Sequence, residues 1–291
     1  MFDQAAAKLV GHGVPRDLEG ARALFKAAGQ AGRRDAAVIH TNFVASGIGG
    51  PRDWQEALRL LKGLSAHDRR CRRQLEVIGA MALDEHGEPT SIPEPELVSE
   101  EPRLSRFRGL FSDLECRYLI EAASPMLEPS VVVDNATGRQ MRDPVRTSDG
   151  VGFTWPLENP AVHALNRRIA AASGTSAEQG EPLQVLRYRP GEEYKPHFDA
   201  IPGFGNQRIL TMLVWLNGDY RGGETLFLKN GLSLRGETGD ALLFRNVGED
   251  GRRDPSSAHA GLPVQSGEKL IASRWIRRER FEPPTGGSRA R

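Results

Sequence analysis

The spacing of apolar positions changes character along this chain and divides it into parts. Through the first 84 residues alanines and leucines recur at helical spacing, the pattern of amphipathic helices with one packing face. These helices repeat. Offset by 36, residues 11–26 and 47–62 coincide at eight of sixteen positions: Gly11/Gly47, Gly13/Gly49, Pro15/Pro51, Arg16/Arg52, Asp17/Asp53, Ala21/Ala57, Leu24/Leu60 and Lys26/Lys62. The glycines permit turns, and Asp17 and Asp53 stand where an N-cap satisfies the first free amides of the next helix. A period of this size predicts stacked helix-turn-helix units, a short α-solenoid, with a degraded third copy helical from about Asp68 to Leu83. From Glu85 to Pro102, prolines 89, 93, 95 and 102 among acidic residues predict an irregular linker.

Beyond the linker, Ser112-Asp113-Leu114-Glu115 predicts a capped helix start, continued by an apolar stripe from Cys116 to Ala123. Ala161 to Ala172 predicts a second helix. After Leu183 the texture becomes short apolar runs broken by glycine, at about 183–189, 193–198, 208–217, 224–228, 232–235, 240–245, 257–262 and 269–277. Eight strands at that spacing predict a double-sheet jelly roll, or double-stranded β-helix, with the helices bracing one sheet. The expected fold class is therefore α+β, in four parts: helical repeats over 1–84, a Pro/Glu-rich linker over 85–102, a jelly-roll domain over 103–281 and a frayed Gly/Pro/Arg-rich tail over 282–291.

Composition narrows the partners. The 291 residues carry a formal net charge of +1, too little to draw the whole protein to nucleic acid or a membrane. Arg69, Arg70, Arg72 and Arg73 cluster locally and read as a solvated helix face. The only two cysteines, Cys71 and Cys116, have neither disulfide-framework nor metal-ligand spacing and are expected to be free thiols. No stretch reaches the roughly 20 apolar residues that span a bilayer, and the first residues lack a basic-then-apolar signal pattern, so a cytoplasmic location without membrane contact is expected.

Candidate chemistry lies in His197-Phe198-Asp199 and Ser257-Ala258-His259-Ala260-Gly261, followed by Lys269. Side chains two apart on a strand point to one face, so His197 and Asp199 can offer two ligands from one strand end. His259, flanked by small residues, can supply a third. Two histidines and a carboxylate are the set that holds a non-haem Fe(II) on one face and leaves positions open. Lys269 then adds a fixed cation.

The sequence around these residues resembles the prolyl 4-hydroxylase group of Fe(II)- and 2-oxoglutarate-dependent dioxygenases, from about Pro102 to Arg280. The matching stretches are 106–116, Val145-Arg146-Thr147-Ser148, 181–188, 207–217 and Gly222-Gly223-Glu224-Thr225. The resemblance implies that His197, Asp199 and His259 bind Fe(II), and that Lys269 and Tyr188, with Thr225, hold the distal carboxylate of 2-oxoglutarate. It implies a reaction with O2 that releases succinate and CO2 and hydroxylates a protein or peptide, at proline, with ascorbate as reductant. The groove for that substrate would be lined by Glu181, Tyr194, Arg208 and Trp275, with Arg146 and Ser148 on a loop over 142–155 that closes as a lid. Where many members carry a histidine after the last tryptophan, this chain has Arg277. The same chemistry on a free amino acid or other small molecule, and an inactive oxygenase domain serving a repeat-based scaffold, stay open as alternatives. The N-terminal repeats resemble the Sel-one-type relatives of the tetratricopeptide repeat, which implies either a protein partner there or a structural cap.

Overall fold

The computed structural model describes residues 1–133, 140–203 and 205–285, which form two compact units. The first comprises Met1–Ser91, Phe153–Arg168 and the chain from Glu282; the second comprises Ile92–Gly152 and Ile169–Phe281.

In the first unit five helices follow one another, α1 (Phe2–Val10), α2 (Leu18–Gln30), α3 (Arg34–Ser46), α4 (Trp54–Ser65) and α5 (Arg69–Ala80), each packed on the next. The 36-residue periodicity reappears as geometry. Gly11 and Gly47 end α1 and α3 in the left-handed conformation, at φ 72° and 80°. Asp17 accepts from the Gly20 amide at 2.8 Å and Asp53 from the Glu56 amide at 2.9 Å, capping α2 and α4. Asp68 caps α5 in the same way. The core of the unit gathers Leu9, Ala21, Phe25, Ala36, Phe43 and Ile48, with Phe25 edge-on to Phe43 at 5.7 Å.

Residues 153–168, which contiguity assigns to the oxygenase domain, group instead with these helices. Trp155 packs against the Phe25 cluster, and Asn42 donates to the Pro156 carbonyl at 2.8 Å. Arg167 pairs with Glu88 and donates to the His86 carbonyl at 2.6 Å. The tail expected to fray from 282 is held at its start, where Arg16 donates to the carbonyls of Pro283 and Pro284 at 2.6 and 3.1 Å; residues 286–291 of it lie outside the described residues.

The second unit contains a large antiparallel sheet and a smaller one, consistent with the jelly roll of a 2-oxoglutarate oxygenase. The large sheet runs, in spatial order, Glu96–Ser99, Leu104–Phe107, Ala241–Arg245, Arg208–Trp215, Lys269–Arg277, Gln184–Tyr188, Asp149–Gly152 and Glu128–Pro129. The smaller runs Leu232–Leu234, Thr225–Phe227, His259–Gly261 and Tyr194–His197. All eight strands expected from the apolar runs are present. Helix α6 (Asp113–Ala123) carries the expected capping box between Ser112 and Glu115 and packs on the Gln184–Tyr188 strand. Helix α7 (Pro160–Ser173) passes from the first unit into the second.

Two segments depart from expectation. Glu96–Ser99, inside the stretch expected to be irregular, is a strand pairing with Leu104–Phe107; prolines 89, 93, 95 and 102 all lie outside it, so its amides stay available to the ladder. Asp149–Gly152, expected within a mobile lid, pairs residue for residue with Gln184–Arg187 in the large sheet. A Cβ on Gly150 would come within 2.8 Å of Leu186 Cδ2, so that glycine serves close packing across the sheet.

Cross-strand partners share a face in an antiparallel sheet, and the registers give the large sheet one inward row. Leu186, Leu213, Trp215, Leu242, Phe244 and Ile271 on that row meet Phe227 and Leu234 of the smaller sheet in one apolar cluster. Phe244 stands edge-on to Phe227 at 5.3 Å and to the His259 ring at 4.9 Å. Phe244→Ala should therefore destabilise this unit by about 3–5 kcal/mol, the usual cost of deleting a buried phenyl ring. Urea unfolding followed by tryptophan fluorescence checks it, and a loss under about 1 kcal/mol would contradict this packing role.

Candidate active site

The smaller sheet brings the histidines together. His259 and His197 are direct cross-strand partners, and their ring centroids lie 4.3 Å apart. The strand ends at His197, so Asp199 stands just past its end rather than two positions along one strand face as the spacing predicts. Its carboxylate still turns back to the pair: Asp199 Oδ1 is 3.6 Å from His197 Nε2, and Oδ2 is 3.9 Å from His259 Nε2. One ligand atom from each of the three residues falls within 4.8 Å of the others.

The surroundings fix the donor atoms. His197 Nδ1 lies 2.7 Å from the Lys195 carbonyl and His259 Nδ1 2.9 Å from the Ser257 carbonyl. A carbonyl only accepts, so each Nδ1 carries a hydrogen, and each Nε2 is the ring nitrogen turned toward Asp199. Burial, with His259 alongside, pushes the His197 imidazole down to about 4, so it is neutral at physiological pH. Burial works to raise the Asp199 carboxyl, but the two imidazoles and a 2.7 Å hydrogen bond from Thr211 Oγ1 outweigh it and hold the group below the usual carboxylate range. Asn246 Nδ2 in turn donates to Thr211 Oγ1 at 2.8 Å, which commits the hydroxyl proton to Asp199. Thr211 and Asn246 are buried, and neither carries a signal along the sequence. A buried carboxylate facing two imidazole Nε2 atoms is a donor set that suits Fe(II).

The second group centres on Lys269. It lies directly across the ladder from Tyr188, is buried, and donates from Nζ to the Gly223 carbonyl at 2.6 Å. Burial pushes its ammonium down to about 8. Gly223 sits at φ 69°, and a Cβ there would come within 3.0 Å of Lys269 Cδ, so the Gly222-Gly223 turn leaves the lysine its room. Tyr188 is buried with its hydroxyl toward Ser148, and burial raises its phenol above the ordinary range. Thr225 is on the face of its strand that also carries Phe227, partner of His259.

The remaining expected residues are distributed around these two groups. Tyr194 stacks on the His197 ring at 3.5 Å and 14°, and the Arg146 guanidinium lies 5.7 Å from the Tyr194 ring. Arg146 also donates to Gln184 Oε1 at 3.3 Å. Ser148, expected on a mobile lid, is fully buried, with Ser130 Oγ 3.5 Å away; Thr147 Oγ1 donates to the Glu193 carbonyl at 3.1 Å. This segment is pinned by its hydrogen bonds. Glu181, Arg208 and Trp275 form a cluster: Arg208 grips Glu181 through Nε and Nη2 at 2.6 and 2.9 Å, while its guanidinium lies 3.7 Å over the Trp275 ring.

Comparison with known proteins agrees with this geometry. A family model described as the 2OG-Fe(II) oxygenase superfamily matches residues 183–277, which contain all three metal-facing side chains and Lys269. The chain is 39% identical over 228 residues to prolyl 4-hydroxylase 1 of Arabidopsis thaliana, covering 71% of this chain and 81% of that one. It is 37% identical over 206 residues to probable prolyl 4-hydroxylase 10 of the same plant, covering 62% and 71%. Among solved structures it resembles the viral collagen prolyl hydroxylase vCPH of Paramecium Bursaria Chlorella virus-1 in complex with 2OG, at 28% identity and a TM-score of 0.50, over 62% of this chain and 98% of that one. With the ligand set, the lysine and the double sheet all in place, the chain belongs to the prolyl 4-hydroxylase family of Fe(II)- and 2-oxoglutarate-dependent dioxygenases.

Proposed function

We propose that this dioxygenase hydroxylates proline within a protein or peptide. The observation that supports the reading most is the cluster of the His197 and His259 imidazoles with the Asp199 carboxylate, together with the buried, cross-strand Lys269–Tyr188 pair. His197, Asp199 and His259 would hold the iron through Nε2, a carboxylate oxygen and Nε2. Lys269 and Tyr188, with Thr225, would orient 2-oxoglutarate by its remote carboxylate, a charge-assisted contact strengthened by burial. When bound, the iron and cosubstrate supply the oxidation: 2-oxoglutarate and O2 yield succinate and CO2, and one oxygen atom enters a substrate C–H bond. Tyr194 and Arg146, beside His197, and Arg208 on Trp275 would position the peptide. The helical unit reads as a short Sel-one-type solenoid, a reading favoured by its 36-residue repeat of turn glycines and capping aspartates, and would present a concave face to a protein partner. Ascorbate as reductant and a cytoplasmic location complete the proposal.

The test is incubation with Fe(II), 2-oxoglutarate and proline peptides, with succinate and a one-oxygen mass gain on proline as readouts. His197→Ala, Asp199→Ala and His259→Ala should each abolish both while leaving the circular dichroism spectrum intact. Near-normal turnover of any of the three after stripping and reloading the iron would remove that residue from the ligand set.

Thr211→Val should weaken Fe(II) affinity by about 10- to 100-fold, the usual loss when the partner of a metal ligand is removed, because Asp199 Oδ2 and Asn246 Nδ2 then lose their shared hydroxyl. Metal titration by calorimetry measures it directly, and an unchanged affinity would show that Asp199 needs no such support.

Lys269→Ala should raise the KM for 2-oxoglutarate by about 10- to 150-fold, equivalent to about 1.5–3 kcal/mol for a charged hydrogen bond. The wild-type pH profile follows from the lysine at about 8. Below that pH the ammonium is present and KM should be flat; above it the charge is lost and KM should climb, while the cosubstrate carboxylate stays ionised throughout. A KM that is level from pH 7 to 9.5 would place the anchoring cation elsewhere.

A further inference from the structure

The outer face of the large sheet carries a cleft of about 170 Å³. Two cross-strand pairs line it, Ser105 with Leu243 and Arg245 with Leu210, and Arg103 and Ser173 complete the rim. Side chains alternate across a strand, so residues 210, 243 and 245 point away from Phe244, which enters the core, and from Thr211, which bonds Asp199. A molecule held in the cleft therefore has the sheet between itself and the metal-facing side chains.

Small side chains keep the cleft open. Ser105 and Ser173 stand on its rim where larger residues would fill it, and helix α7 ends at Ser173. The carbonyls of that helix end are engaged internally: Ser173 Oγ donates to those of Ile169 and Ala170 at 2.8 and 3.1 Å, and the Thr175 amide to that of Ala170 at 2.9 Å. The helix end thus turns little of its negative character on the cleft.

The chemistry on offer is cationic above and apolar below. Arg103 and Arg245 bring two guanidiniums, no lining residue is acidic, and Leu210 and Leu243 supply an apolar floor. Among the described residues the Arg245 side chain makes no hydrogen bond or ion pair, and neither does the Ser105 hydroxyl. Arg103 pairs with Glu100 at 3.2 Å, but the two side chains are 53% and 69% exposed, and a pair so open to water yields readily to a competing anion. A guanidinium fork matches the two oxygens of a carboxylate. Size sets the rest of the ligand, since a cavity of about 150 Å³ holds one benzene ring.

We infer that this cleft is a second ligand site, for a small organic monocarboxylate with a compact apolar body. Arg245 takes the carboxylate as a bidentate pair, Arg103 shares it, Ser105 Oγ donates to it, and the apolar body covers Leu210 and Leu243. The inference stands apart from the prolyl hydroxylase reading, because none of these residues belongs to the metal, cosubstrate or peptide sets proposed above.

Benzoate is the probe, beside benzamide as its neutral isostere, benzylamine as a cation of similar shape, and inorganic phosphate as an anion without an apolar body. Binding is measured by calorimetry on the full-length protein saturated with Mn(II) and 2-oxoglutarate, so that the metal ligands and Lys269 are already engaged. One benzoate should bind per chain, at least tenfold tighter than each of the other three, and a further tenfold rise in 2-oxoglutarate should leave its affinity unchanged. Arg245→Gln should weaken benzoate at least tenfold, and Leu243→Trp, which fills the cleft from its floor, should abolish binding. Succinate formation with Fe(II) should be unchanged in both variants. Benzoate that is displaced by 2-oxoglutarate, that survives both substitutions, that is matched by benzamide or phosphate, or that does not bind would overturn the inference. The wild-type comparison of benzoate with benzamide decides the matter even where a variant fails to fold.

Discussion

The Asp199 carboxylate, withdrawn from water between two imidazoles, is the interaction on which the site depends. An ionised carboxylate in such a place is costly unless its lone pairs are satisfied and a cation is close. The chain meets the first need with the Asn246–Thr211 relay, which occupies Oδ2 from the side of the large sheet. The second need it leaves to the metal. Because both histidines donate Nδ1–H to backbone carbonyls, each ring is held with its Nε2 toward the Asp199 carboxylate. The backbone sets this arrangement, since the His259↔His197 register of the smaller sheet brings the rings together.

One strand organises everything else. Along Lys269–Ile276 the alternate residues 269, 271, 273 and 275 share the inward face, so a single pleat carries the buried Lys269 ammonium at one end, an aliphatic contact to the core at Ile271, and Trp275 at the other. At about 3.3 Å per residue, Lys269 and Trp275 stand roughly 20 Å apart along the strand. A one-residue slip would turn all four side chains outward, so the Trp215, Val214 and Leu213 partners that fix the register also fix which side chains face inward.

Much of this was legible in the sequence, and what was not has physical causes. The eight strands read out because glycine and proline punctuate them at close intervals, and the metal set read out because His197, Asp199 and His259 are polar residues in otherwise strand-like surroundings. Thr211 and Asn246 were silent: a threonine in Arg208–Trp215 is ordinary strand composition, and only the Phe244↔Thr211 pairing shows that Asn246, two residues beyond Phe244, can reach it. Asp149–Gly152 looked mobile because its two glycines suggest freedom, whereas Gly150 is there to let Leu186 pass. The grouping of 153–168 with the helices could not be read locally, since Trp155 and Arg167 find their partners among residues about 80 to 130 positions away. Burial of Glu181 beneath Arg208 and Arg277 was likewise invisible, since all three are ordinary surface residues by type.

The lysine at the other end of the strand follows a complementary logic. Among the described residues the buried Lys269 ammonium hydrogen-bonds the Gly223 carbonyl and lies over the Tyr188 ring, and burial lowers its proton affinity. Glu224 acts on it favourably and Arg235 unfavourably, so the surrounding charges leave most of the desolvation uncompensated. In the function proposed above, a dicarboxylate with one carboxyl group at Lys269 would complete the lysine, and a metal held by the triad would complete Asp199. Each ligand that binds there would stabilise the folded chain by mass action, according to its concentration and affinity.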